Sequence, residues 1–285
     1  MKSSGISLSE VRLIALDMDG TLLLSDHRTI PQENIDAIRE ADRAGIKVCI
    51  STGRMIEDAS DFIRRLDLPC AIIASNGACA SDGPVPEHDV FLRRHLRTED
   101  ALKALEIAKP FRMMINGFEA GLVNTILGET LTPYHLVERG LIHAAYGWEE
   151  MYAAARRGIM KLYIVDDTSE SAVMGEKLLK LRELIEKELA GLQITSSDPN
   201  NIEIMSPQTS KGTALSDMAK RYGLKREQVM AVGDAPNDLA MLEYAWHSVA
   251  MGNADEIVRC ACRYQTETND QCGVAKIIRR VLCAR

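Results

Sequence analysis

Residues 11–21 read VRLIALDMDGT. Val11 to Leu16 is a short, mostly apolar run that stops abruptly at Asp17, Met18 and Asp19, followed by Gly20 and Thr21. Such a run predicts a buried strand whose carboxyl end carries the acids, the place where open α/β sheets bind ligands. Working outward, Thr29 to Ala44 sets Ile35, Ile38 and Ala41 at helical spacing behind Pro31, and Gly45 closes the segment. KVCIST (47–52) predicts a second strand, and Ile56, Phe62, Ile63 and Leu66 mark a second helix. CAIIASNG (70–77) predicts a third strand ending in a turn. Strands alternating with helices in this way specify a parallel sheet with helical crossovers.

The pattern breaks over SDGPVPEHD (81–89), where two prolines and a glycine interrupt it. Beyond the break, helical stretches are expected at Thr98 to Ala108, Glu149 to Ala155 and Ser171 to Ala190, and strands at Arg112 to Ile115, Lys161 to Val165 and Asn201 to Met205. The α/β alternation returns with a helix over Gly212 to Tyr222, the strand VMAV (229–232), a helix over Asp238 to Tyr244, the short strand SVAM (248–251) and a helix over Val274 to Leu282. The expected architecture is α/β: one parallel-sheet core built from residues 1–83 and 207–285, interrupted by an α+β insertion over 84–206. Joining the two outer blocks in one sheet buries more strand than two fragments would.

Composition bounds the chemistry. A chain of 285 residues has room for about two domains. Thirty-four basic against forty-one acidic residues give a net charge of −7, which argues against general attraction to nucleic acid or an anionic membrane. The longest apolar runs, Cys70 to Ala74 and Met151 to Ala155, fall far short of the roughly twenty residues that span a bilayer. The opening MKSSGISLSE has no apolar segment followed by a cleavage site, and the seven cysteines are odd in number without a CxxC pair. A cytoplasmic chain with reduced thiols, monomeric or homodimeric, is the expectation.

Three further termini carry matching chemistry. The second strand ends in Ser51, Thr52, Gly53 and Arg54; a hydroxyl and free amides at a strand-to-helix junction can hold phosphate oxygens. VMAV runs into GDAPND (233–238), which supplies Asp234, Asn237 and Asp238. Carboxylates four positions apart repel unless a cation is shared, and Mg2+ favours such an all-oxygen shell, with Asp17, Asp19, Asp234 and Asp238 as the candidate ligands. Lys211 opens a helix, where a cation is unfavourable unless an anion lies beside it. Taken singly, each has a plain reading as a turn, a helix cap or a surface residue. The coincidence of all four points to a shared anionic ligand.

The combination of DMDGTLL (17–23), STGR (51–54), Lys211 with Gly212, and GDAPND, together with SNGA (75–78), VAMGNA (249–254) and CGVAKII (272–278), resembles the haloacid dehalogenase-like superfamily, and within it the Cof-type hydrolases. The resemblance covers nearly the whole chain. It implies a Rossmann-like core with an inserted cap of the type IIB kind, and Mg2+-dependent hydrolysis of small phosphate esters, sugar phosphates first. In this likeness Asp17 is the nucleophile and Asp19 the general acid and base. Met18, Thr52, Gly53, Lys211 and Asn237 hold the phosphate, and Asp234 holds the metal with Asp238 in or behind the shell. Arg54, Asn76 and Gly77 are the candidates on the core side for contacts beyond the phosphate; in the insertion Glu129, Tyr134, His135 and Arg139 are the candidates. A phosphatase for a phosphorylated cofactor or flavin precursor, a phosphomutase, and a non-catalytic binder of small phosphate ligands are the alternatives. The intact acidic set weighs against the last.

Overall fold

The computed structural model describes residues 7–119, 122–126, 144–166, 174–196 and 199–285. In chain order its strands are β1 (Leu13–Asp17), β2 (Lys47–Ser51), β3 (Cys70–Ala74), β4 (Cys79–Ser81), β5 (Val90–Arg93), β6 (Met114–Glu119) and β7 (Leu122–Ile126). They continue with β8 (Ala144–Tyr146), β9 (Lys161–Val165), β10 (Gln193–Thr195), β11 (Asn201–Met205), β12 (Val229–Gly233), β13 (His247–Ala250) and β14 (Tyr264–Gln265). The chain divides into two compact units, Met1–Leu92 with Ser210–Arg285, and Arg93–Thr209.

The first unit holds one sheet in the order β14-β13-β12-β1-β2-β3-β4-β5. Its first six strands run parallel, and β4 turns back antiparallel on β3. Strands β1, β3 and β12 are buried along their whole length, as an apolar run covered on both faces must be. The two outer blocks do form a single sheet, because β1 sits between β2 and β12. Register then sets the site: Asp17 lies beside Ser51, and Leu16 beside Val232, so the residues following β1, β2 and β12 leave the sheet side by side. The sheet continues past the proline-rich break through β5, which places the first crossing at Leu92.

The second unit is a six-stranded sheet in the order β10-β11-β9-β6-β7-β8, antiparallel except for the β7–β8 pair. Helices Thr98–Ala108, Trp148–Arg157 and Glu176–Glu188 contribute Ala101, Leu105, Met151, Leu178 and Ile185 to a core shared with Ile115, Leu162, Ile164, Ile202 and Ile204 of the strands. The strand expected at Arg112 to Ile115 begins later, at Met114, because Arg112 has a left-handed backbone (φ 54°) closing the turn Lys109–Phe111. The helix expected from Ser171 is described from Glu176 onward. Glu129, Tyr134, His135 and Arg139 lie outside the described residues.

Candidate active site

Beyond β1 the chain makes a wide loop over Met18–Leu22, closed by the Leu23 amide donating to the Met18 carbonyl at 2.9 Å. Asp19 (φ −82°, ψ 123°) and Gly20 (φ 78°, ψ −5°) have the angles of a type II turn, whose third position requires a positive φ. Gly20 is needed for a second reason. A Cβ there would stand 2.3 Å from Asp234 Oδ2, so only glycine lets the loop press against that carboxylate. Thr21 then donates from Oγ1 to Asp234 Oδ1 at 2.7 Å.

Lys211 opens the helix Lys211–Arg221, capped by Ser210, whose hydroxyl accepts the Thr213 amide while the Ser210 amide donates to Thr213 Oγ1. The cap is seated by Gly77, since a Cβ there would lie 2.1 Å from the Ser210 carbonyl. From this start the Lys211 side chain runs fully buried to donate to Asp17 Oδ1 at 2.5 Å and to Asp238 Oδ1 at 2.7 Å. The other oxygen of Asp238 accepts the amides of Asp234 (3.0 Å) and Ala235 (3.2 Å). Asp238 therefore folds its own loop and orients the lysine.

The charge does not balance. Asp17, Asp234 and Asp238 each bring a carboxylate oxygen to a group in which all such atoms lie within 4.8 Å of one another, and one ammonium faces them. Burial first, then neighbouring Asp238, push the Asp17 carboxyl well above its usual range, with Lys211 pulling against them. Burial pushes Asp234 up to about 7 against the hydrogen bond from Thr21. Burial alone would lower Lys211, yet the carboxylates of Asp17 and Asp238 outweigh it and hold the ammonium above the ordinary lysine value. With all three carboxylates ionised, one lysine would leave two negative charges in surplus, and an all-oxygen donor set of this kind fits a hard divalent cation such as Mg2+. Asp17 and Asp234 are the best placed to hold it, because both oxygens of Asp238 are already engaged.

The remaining sequence candidates fall around this group unevenly. Thr52 is buried, and its Oγ1 accepts the Arg54 amide at 3.1 Å, leaving the hydroxyl proton to be donated elsewhere. The Thr52 carbonyl accepts the Asn76 amide, and Gly53 passes so close to Asn76 that a Cβ would lie 3.3 Å from Oδ1. Asn237 sits between Asp234 and Asp238, with its Oδ1 buried and meeting no donor among the described residues. Asp19 departs from expectation. Its carboxylate is not in the metal-competent group; it is 39% exposed and takes Arg54 Nε at 2.9 Å and Nη2 at 2.5 Å. Arg54, a candidate for leaving-group contacts, is thereby occupied. Sequence reasoning did not single out the roles of Thr21, or of Asn253, which donates to the Gly20 carbonyl at 2.8 Å. Both lie inside motifs already noticed, and a hydroxyl directly after the turn was the available signal for Thr21.

Comparison with known proteins matches residues 14–278 to a family described as haloacid dehalogenase-like hydrolases. The chain is 33% identical over 274 residues to the 5-amino-6-(5-phospho-D-ribitylamino)uracil phosphatase YcsE of Bacillus subtilis, covering 95% of each chain. It is 32% identical to the phosphatase YwpJ of the same organism, over 95% of this chain and 100% of that one. Among solved structures, a haloacid dehalogenase-like hydrolase from B. subtilis superposes with a TM-score of 0.82 at 28% identity, covering 94% of this chain and 99% of that chain.

Proposed function

We propose that this chain, which belongs to the haloacid dehalogenase-like hydrolase family, is a Mg2+-dependent phosphomonoesterase acting on small phosphorylated metabolites. The observation that carries the reading is the buried Lys211 ammonium held between Asp17 and Asp238, with Asp234 alongside. A phosphate monoester is a dianion near neutral pH, and a carboxylate can approach its phosphorus only where positive charge is fixed in advance. Lys211 supplies one such charge. Mg2+, held by Asp17 and Asp234, supplies the rest of the neutralisation when bound.

Asp17 then attacks phosphorus in line: an oxygen–phosphorus bond forms to its carboxylate as the bond to the leaving alkoxide breaks. Asp19 gives the departing oxygen its proton. In the second half a water attacks the aspartyl-phosphate, Asp19 takes the water's proton, and orthophosphate leaves with Asp17 restored. The Thr52 hydroxyl, the backbone at Gly53 and Met18, and Asn237 hold the phosphoryl oxygens. Asp238 fixes Lys211 and the loop that carries Asp234.

The leaving group is a small polyhydroxylated alcohol. Sugar phosphates are the expectation from the sequence. The relatives add a specific second reading, because the proteins at 33% and 31% identity are both named as phosphatases of 5-amino-6-(5-phospho-D-ribitylamino)uracil, whose phosphate sits on a ribityl chain. A panel of hexose, pentose and polyol phosphates, with the phosphoribityl uracil and pyridoxal phosphate beside them, assayed with and without Mg2+, tests the proposal. Turnover of none of them by folded wild-type protein, or turnover surviving in Asp17→Asn, would refute it.

A further inference from the structure

The sequence offers Arg54 as a reader of the leaving group, but the structure commits its guanidinium elsewhere. Nε and Nη2 present a fork to both oxygens of Asp19, the bidentate geometry in which arginine fixes a carboxylate in place as well as in charge. The arginine itself is held at four further points. Its amide donates to Thr52 Oγ1 (3.1 Å), its carbonyl accepts the Ser75 amide (2.8 Å), Nη2 also donates to the His27 carbonyl (3.2 Å), and the guanidinium lies over the Phe62 ring at 5.1 Å.

The His27 anchor is equally fixed. His27 has a left-handed backbone (φ 56°) in a turn where its amide donates to the Leu24 carbonyl. Asp26 accepts the amides of Arg28 and Thr29 and the Thr29 hydroxyl. Asp19, by contrast, has a partly exposed carboxylate whose partners among the described residues are Arg54 and, at 3.5 Å, His27 Nδ1. Without the fork it would sample its staggered rotamers, and only some of them would serve a reacting oxygen.

We propose that Arg54 is a positioning residue for Asp19, holding the carboxylate that exchanges protons with the leaving group and the water, and that it is not a reader of the substrate. The proposal rests on the reading of Asp19 as general acid and base. It predicts that Arg54→Met lowers kcat roughly 10- to 100-fold with an alkyl phosphate, with KM within about twofold. The loss should be smaller with p-nitrophenyl phosphate, whose leaving group departs without a proton. Arg54→Lys keeps the charge but not the fork, and its loss should approach that of Arg54→Met.

The decisive comparison is a double-mutant cycle with Asp19→Asn on p-nitrophenyl phosphate. If Arg54 acts through Asp19, adding Arg54→Met to Asp19→Asn costs little more. Additive losses, or a loss confined to KM, would overturn the role and make Arg54 a substrate contact while leaving the phosphatase reading intact. An Asp19→Asn enzyme with full turnover on alkyl phosphates would refute the reading and the proposal together. A readout independent of turnover is the Arg54 Nε–H resonance, expected to be protected from exchange in the wild type and to lose protection in Asp19→Ala. An unprotected signal in the wild type would also overturn the proposal.

Discussion

Each unit of the chain buries a lysine, and the two burials differ in kind. In the second unit Lys161 meets Glu203 at 2.9 Å, the side chains 4% and 2% exposed, with the ammonium 4.7 Å above the Phe118 ring. The ammonium meets a carboxylate directly. At the carboxyl ends of β1 and β12, Lys211 faces Asp17 and Asp238, and Asp234 adds a third carboxylate to the group. A fold selected for stability alone gains nothing from that surplus, since uncompensated buried charge is costly. The three-carboxylate group is one that a bound cation would answer, whereas Lys161 meets its carboxylate within the second sheet.

The sharpest way to break this contrast is Asp17→Asn, which removes the proposed nucleophile and relieves crowding among the carboxylates. Turnover should fall by roughly 10⁴-fold or more while the melting temperature stays level or rises, read by phosphate release and calorimetry on the same sample. Lys211→Met goes the other way on stability. It leaves Asp17 and Asp238 buried without their cation, so a cost of about 3–5 kcal/mol is expected in urea titration, along with activity. Glu203→Gln should cost a similar or smaller amount by removing the carboxylate charge opposite Lys161. The double replacement Lys161→Met with Glu203→Leu should recover most of it, because a buried ion pair can often be exchanged for apolar packing. Failure of the double variant to recover would mean the pair does more than fill the sheet face.

Mg2+ should act on one unit's charge and not on the other's. At a hundredfold excess over its dissociation constant it should stabilise the protein by about 2.7 kcal/mol, and Asp234→Asn should abolish most of that gain. Without Mg2+, Asp234 holds its proton in the folded chain up to about pH 7, against 3.8 for an ordinary aspartate. The folded state then binds more protons than the unfolded one between about pH 4 and 7, so stability falls as pH rises through that window. Saturating Mg2+ should flatten the slope. The smallest effect is Ser210→Ala, about 1 kcal/mol from the lost cap, with a modest fall in kcat because Lys211 is the next residue.

Much of the first unit could be read in advance because its strands are apolar runs that end where the polar residues begin. Asp17, Ser51 with Thr52, and Gly233 with Asp234 stand at such ends, and parallel register brings them together. Short strands with little pattern escaped: β4 has three residues, β8 and β10 three each, and β14 two. What spacing cannot show is side-chain partnership across distance. Asp19 and Arg54 are 35 positions apart, Thr21 and Asp234 are 213, and Asn253 and Gly20 are 233. Each motif advertised its residues, but the fork on Asp19 depends on where a turn at His27 and a ring at Phe62 stand in space.

The contact between Asp17 and Lys211 spans 194 positions of chain. At typical translation speeds of about 5–20 residues per second, roughly 10 to 40 seconds separate the birth of the two residues on the ribosome. During that interval β1 can pair with β2, but the edge that will receive β12 has no partner yet. The second unit, Arg93–Thr209, is continuous and is completed before Lys211 is made. A nascent chain thus carries one finished unit and a half-built sheet with an open apolar edge, and Lys211 is among the first residues to emerge of the segment that closes that sheet. Slowing translation between β2 and β12 should prolong this vulnerable stage, whereas the same pause after β12 has emerged should not.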